Sequence, residues 1–194
     1  ISDFTAAIRI KPDYDFAYYQ RAYAKFQLKD YYGAISDYSK AIELNPDYVD
    51  AYYNRGSAKF QLKDYYGAIS DFSKVIELDP DYTAAFNNRG LAKANLKDYY
   101  GAIEDYSRAI ALDPDYTYAF NNRGIAKKNL KDYYGAVNDY SRAIELDPDY
   151  TYAFNNRGLA KKNLGDLNGA CNDWRKAASL GYEDAAQWVR DQCN

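Results

Sequence analysis

The 194-residue chain contains no histidine and no methionine. Without an imidazole it lacks the commonest general base, the commonest metal ligand and every serine–histidine or cysteine–histidine nucleophile pair. Cysteine is confined to Cys171 and Cys193, too few for a disulfide scaffold or a cysteine-only zinc site. Packing as small apolar residues is favoured for both over a disulfide, and over a redox or metal role. No apolar run is long enough to span a bilayer, and no signal peptide is visible. An excess of positive charge is missing too. The formal net charge is -3 and the isoelectric point is near 5.1, which argues against a nucleic-acid partner. The chain starts without methionine on a helical pattern already under way, and is read as a piece of a longer protein.

What is present is tyrosine, 24 residues of it, and a repeat. Pro12, Pro46, Pro80, Pro114 and Pro148 recur every 34 residues, as do Gly33, Gly67, Gly101, Gly135 and Gly169. The repeat divides the chain into residues 15–48, 49–82, 83–116, 117–150 and 151–184, preceded by a half repeat at 1–14 and followed by a tail at 185–194. Each unit reads as two helices. In the second, Ala51, Tyr52, Gly56, Ala58, Lys59 and Leu62 fall at helical spacing, and Ala68, Ile69, Phe72, Val75 and Ile76 form a second apolar face. Lys63-Asp64 breaks the pattern between them, with Asp64 a candidate N-cap. Pro80 ends the second helix.

These units resemble the tetratricopeptide repeat family. That family places an aromatic at position 4 of the unit, a small residue at 8, alanine at 20, an aromatic at 24, alanine at 27 and proline at 32. The third unit supplies Phe86, Gly90, Ala102, Tyr106, Ala109 and Pro114, and the fourth supplies Phe120, Gly124, Ala136, Tyr140, Ala143 and Pro148. The resemblance implies an all-α, right-handed superhelical solenoid of helix-turn-helix repeats, closed by a C-terminal capping helix in the tail. At the other end Phe4, Ala7 and Ile8 lack a partner helix and are expected to be partly bare.

The resemblance also implies that positions 2, 5, 6, 9, 12 and 13 of the first helices face the concave groove. Position 6 carries a ladder, Asn54, Asn88, Asn122 and Asn156, and position 5 carries Asn87, Asn121 and Asn155. Asparagine is a poor helix former, and its amide can both donate to and accept from a peptide backbone. The ladder is similar to the asparagines inside the repeats of O-linked N-acetylglucosamine transferase, which hold an extended peptide. The alternative is that these amides are solvated or bond neighbouring helices. Tyr19, Tyr53, Tyr118 and Tyr152 would stack on peptide side chains, and Lys128 and Lys162 could attract an acidic segment. The cations of the carboxylate clamp that grips chaperone tails are missing from positions 2, 5 and 6, so binding of such a tail is not expected.

Position 7 is arginine in every unit: Arg21, Arg55, Arg89, Arg123 and Arg157. Its co-repetition with Asp37, Asp71, Asp105, Asp139 and Asp173 favours an ion pair within the unit over a grip on ligand carboxylates. The same aspartates are expected to form helical surface pairs with Lys40, Lys74, Arg108, Arg142 and Lys176. Tyr32, Tyr66, Tyr100 and Tyr134 are assigned to packing between units. The expected function is non-catalytic protein or peptide binding without a cofactor, since no nucleophile, base and orienting group converge in any unit. A self-assembling or consensus-like array without a dedicated ligand, associating end to end through the uncapped N-terminal helix, is the second reading. A substrate-recruiting arm of a larger enzyme is the third.

Overall fold

The computed structural model describes residues 1–193, and everything regular in them is α-helix. The helices fall into two compact units, Ile1–Lys97 and the segment from Asp98 onward. The first holds α1 (Ser2–Ile10), α2 (Asp15–Gln27), α3 (Tyr31–Leu44), α4 (Val49–Gln61), α5 (Tyr65–Leu78) and α6 (Thr83–Asn95). The second holds α7 (Tyr99–Leu112), α8 (Thr117–Asn129), α9 (Tyr133–Leu146), α10 (Thr151–Asn163), α11 (Leu167–Ser179) and α12 (Glu183–Gln192). Within each unit, every helix packs against its neighbours in sequence.

The turn inside a repeat is very short, and its residues explain why. In the second repeat the amide of Asp64 donates back to the Lys59 carbonyl at 2.9 Å, and that of Lys63 donates to Phe60 at 2.9 Å. This crossed pair satisfies the last carbonyls of α4, and it needs a left-handed residue between. Lys63 takes that conformation at φ 62, as do Lys29, Lys97 and Lys131, while Gly165 does so at φ 84. Asp64 then caps the next helix at once, its carboxylate accepting from the Gly67 amide at 3.0 Å. A Cβ on Gly67 would collide with that carboxylate, so the cap and the glycine are one device.

The core is a series of small clusters rather than one mass. Ala22, Ala34, Tyr38, Ala41, Ile42 and Ala51 form one in the first unit. Phe154, Ala170, Cys171, Trp174, Ala177 and Ala185 form another in the second. Close helix contact depends on position 8. A Cβ on Gly124 would stand 2.7 Å from Tyr140, and one on Gly158 would stand 2.5 Å from Trp174. At the N-terminus α1 has no buried residue, and Phe4, Ala7 and Ile8 are half-buried.

Three expectations need correction. Cys171 and Cys193 form a disulfide, with their Cα atoms 5.6 Å apart. The turn at Gly181 folds α12 back along α11, so two cysteines 22 residues apart in sequence meet. Tyr32, Tyr66, Tyr100 and Tyr134 do not pack between units but are 74–77% exposed; each is the second residue of its helix and lies on the solvent side, while Tyr31 and Tyr65 pack on Phe26 and Phe60. The surface cations Lys40, Lys74 and Arg142 pair with Glu43, Glu77 and Glu145 one turn onward. The aspartates one turn before them, Asp37, Asp71 and Asp139, are buried and already taken.

Candidate functional site

The first-helix face carries the residues that the sequence singles out, and its geometry starts with the position-7 arginines. Arg55 donates Nε and Nη2 to Asp71 at 2.9 and 2.6 Å, and Nη1 to Ser39 of the preceding repeat at 3.0 Å. Arg123 and Arg157 repeat this arrangement on Asp139 with Ser107 and on Asp173 with Ser141. Lys59 joins Asp71 at 2.8 Å, and Lys25, Lys127 and Lys161 do likewise in their repeats. Arg21 also pairs with Asp37, whose carboxyl loses solvation by burial but is held below the usual range by the hydrogen bonds of Arg21 and Lys25. The arginines are thereby committed to the scaffold. The lysine and the serine partner were missed from sequence, although both recur at the repeat spacing.

The position-6 asparagines point to the preceding repeat. Asn54 Nδ2 donates to the Tyr19 hydroxyl at 3.0 Å, and Asn88 Nδ2 donates to that of Tyr53 at 2.8 Å. In the second unit Asn156 Nδ2 donates to Asn121 Oδ1 at 3.1 Å. In all three the acceptor is position 5 of the repeat before, so a tyrosine hydroxyl and an amide carbonyl serve the same purpose. This corrects the placement of the position-5 asparagines on the open groove: Asn87, Asn121 and Asn155 are only 4–5% exposed. Asn122 is half-buried.

Tyr19 and Tyr53 are likewise scaffold in part. Tyr19 stacks on Tyr48 at 4.9 Å and leans on Tyr38, while Tyr53 contacts Tyr82 at 5.0 Å and Phe72. Burial raises the pKa of Tyr19 and Tyr53 and pushes Tyr48 and Tyr82 up to about 12, so these hydroxyls stay protonated near neutral pH. Tyr118 and Tyr152 are the open pair, 59% and 58% exposed. Their rings alternate edge to face with Tyr116, Tyr150 and Tyr182 in the second unit. Lys162 is exposed, whereas Lys128 is half-buried and its ammonium pKa is lowered by desolvation. Between α4, α5 and α6 the face opens into a cavity of about 190 Å³, which the sequence reading did not foresee. Among the described residues no cluster of metal ligands is present and no helix is long and apolar enough to cross a membrane.

Helix pairs repeated at 34 residues, braced by one ion-pair network and presenting one face of polar side chains, define an all-α repeat solenoid. Two models of the tetratricopeptide repeat match residues 22–63 with 128–165, and 49–82 with 83–116. Together they take in more than half of the chain, which therefore belongs to the tetratricopeptide repeat family. No curated protein matches the chain. Among solved structures it is similar to MamA, at 25% identity and a TM-score of 0.80 over 90% of this chain and 94% of that one. YrrB, described as a TPR protein with an unusual peptide-binding site, is 23% identical with a TM-score of 0.78 over 96% and 97%. The first TPR of Spaghetti (RPAP3), solved bound to the HSP90 peptide SRMEEVD, is 30% identical with a TM-score of 0.59 over 60% and 93%. The chain is thus of the class whose members serve as protein-interaction modules.

Proposed function

We propose that this chain is a non-catalytic module that holds an extended peptide or partner segment along the first-helix face. The observation that carries the reading is the asparagine ladder. Asn54 and Asn156 spend Nδ2 on the preceding repeat, and among the described residues their Oδ1 atoms have no partner. An amide already held by its nitrogen presents an oriented acceptor to a peptide N–H at little further entropic cost. Asn88 and Asn122 continue the ladder, and Asn87, Asn121 and Asn155 support it from beneath. Tyr118 and Tyr152 offer exposed rings to peptide side chains, while Lys128 and Lys162 favour an acidic segment. A chaperone tail is not the expected partner, because positions 2, 5 and 6 lack the cations that the family's carboxylate clamp uses.

The test uses peptides selected on the protein from a random display library. Asn54→Ala should weaken binding of a selected peptide by about tenfold or more with helicity unchanged, a loss typical of a buried hydrogen bond. Tyr19→Phe removes the bracing bond but not the acceptor, and should cost much less. Equal losses in the two variants would assign the ladder to bracing alone, and unchanged affinity in both would end its role in binding.

A further inference from the structure

The cavity of about 190 Å³ between α4, α5 and α6 is lined by Ser57, Phe60, Gln61, Phe72, Asn88 and Leu91. We infer that it is an anchor pocket that takes one apolar side chain of the bound peptide. The inference rests on the peptide-binding reading and adds to it the residue type that the first unit selects.

Its lining decides what it accepts. Phe72, 1% exposed, forms the floor, and Phe60 and Leu91 form half-buried apolar walls. Each polar group inside already has one protein partner. Ser57 Oγ donates to the Tyr53 carbonyl at 3.0 Å. Asn88 Nδ2 donates to the Tyr53 hydroxyl at 2.8 Å, and Asn88 Oδ1 accepts from Asn87 at 3.2 Å. A charged side chain entering here would trade its full hydration for at most the spare hydrogen-bonding valences of Ser57 and Asn88, whereas an apolar one packs on Phe60, Phe72 and Leu91 and loses nothing. Gln61 is exposed at the mouth and stands where the peptide backbone would pass.

The repeat explains why the pocket lies here. At the place of Ser57 the first repeat has Tyr23 and the later ones have Leu91, Ile125 and Leu159. At the place of Phe60 the third, fourth and fifth repeats have Ala94, Lys128 and Lys162. At the place of Phe72 the others have Tyr38, Tyr106, Tyr140 and Trp174. Only the second repeat joins a small residue to an aromatic wall and a floor without a polar atom.

The substitutions that test it are taken from the chain's own repeats, so the fold already carries them. Ser57→Tyr installs the residue of the first repeat, and Ser57→Leu that of the third. Peptides selected from a random display library should share one fixed apolar position. Replacing that residue by serine should weaken binding to the unaltered protein by about ten- to a hundredfold, the worth of burying one such side chain. In both Ser57 variants the same replacement should cost less than about threefold. N-acetylleucinamide, but not N-acetylglycinamide, should shift the amide resonances of Ser57 and Leu91. Selected peptides without a fixed apolar residue, or an equal loss in the Ser57 variants, would overturn the pocket and leave peptide binding intact. Recovery of no binding peptide at all would overturn the peptide reading and the pocket with it.

Discussion

Asp37 accepts three charged hydrogen bonds, two from Arg21 at 2.8 and 2.7 Å and one from Lys25 at 2.7 Å. Such an ion pair adds little over an apolar substitute, but removing one partner strands the others. Asp37→Asn should therefore cost about 3 kcal/mol at neutral pH, measured as faster amide exchange in α3. The pH dependence follows from the lowered carboxyl pKa. A depressed carboxylate contributes stability that is complete above its unfolded pKa, near 3.9, and is lost as pH falls through the folded value. The gap between variant and parent should thus begin to narrow below about pH 4 and close only once pH has fallen through the lowered folded value. Tyr140 shows the opposite economy. Its hydroxyl is buried without a hydrogen-bond partner, and burial raises its pKa. Phe72 fills the equivalent place with no hydroxyl at all. Tyr140→Phe should be neutral or stabilise by about 1 kcal/mol, because an orphaned buried hydroxyl costs roughly that much; a clear loss in the denaturant midpoint would point to a partner for the hydroxyl.

The helical hairpin is the next scale, and its turn carries strain of known kind. Lys63 adopts a left-handed backbone at φ 62, which costs a non-glycine residue about 1 kcal/mol. The fifth repeat has glycine there, Gly165. Lys63→Gly should stabilise the α4–α5 hairpin by up to about 1 kcal/mol, less the greater entropy that glycine restores to the unfolded chain. The comparison to make is amide exchange across α4 and α5. At this scale the helix pattern, the cap Asp64 and the internal Arg–Asp pairs were readable, because each is local and recurs; the structure shows Asp30, Asp98, Asp132 and Asp166 capping in the same way. The exposure of Tyr32 and its repeats was not. A tyrosine on the first turn of an amphipathic helix fits either side of the boundary, and only the neighbouring helices decide which.

Across the whole molecule, stability is a sum of repeats and their nearest-neighbour contacts, so perturbations should stay local. The Cys171–Cys193 disulfide ties α12 to α11 over 22 residues. A loop of this size restricts the unfolded chain by about 3 kcal/mol. Replacing both cysteines by serine should release α12, seen as rapid exchange over residues 183–192, while exchange in α2–α5 is unchanged. Loss of protection throughout the chain would mean a cooperativity that the small separate clusters do not suggest.

The sequence by itself determined the repeat, two helices in each unit, the family and the face on which a partner is sought, because spacing, proline, a capping aspartate and co-repeating charges act over a few residues or one repeat length. It also put Asn54, Asn88, Asn122 and Asn156 on one stripe. Only the tertiary structure decided what those amides touch, that Asn87, Asn121 and Asn155 are buried, that two cysteines bond, and that the second repeat holds a pocket. These outcomes depend on side chains of three different helices meeting at distances set by packing. A one-dimensional pattern records which residues recur; it does not record the space left when a serine stands where another repeat has a tyrosine.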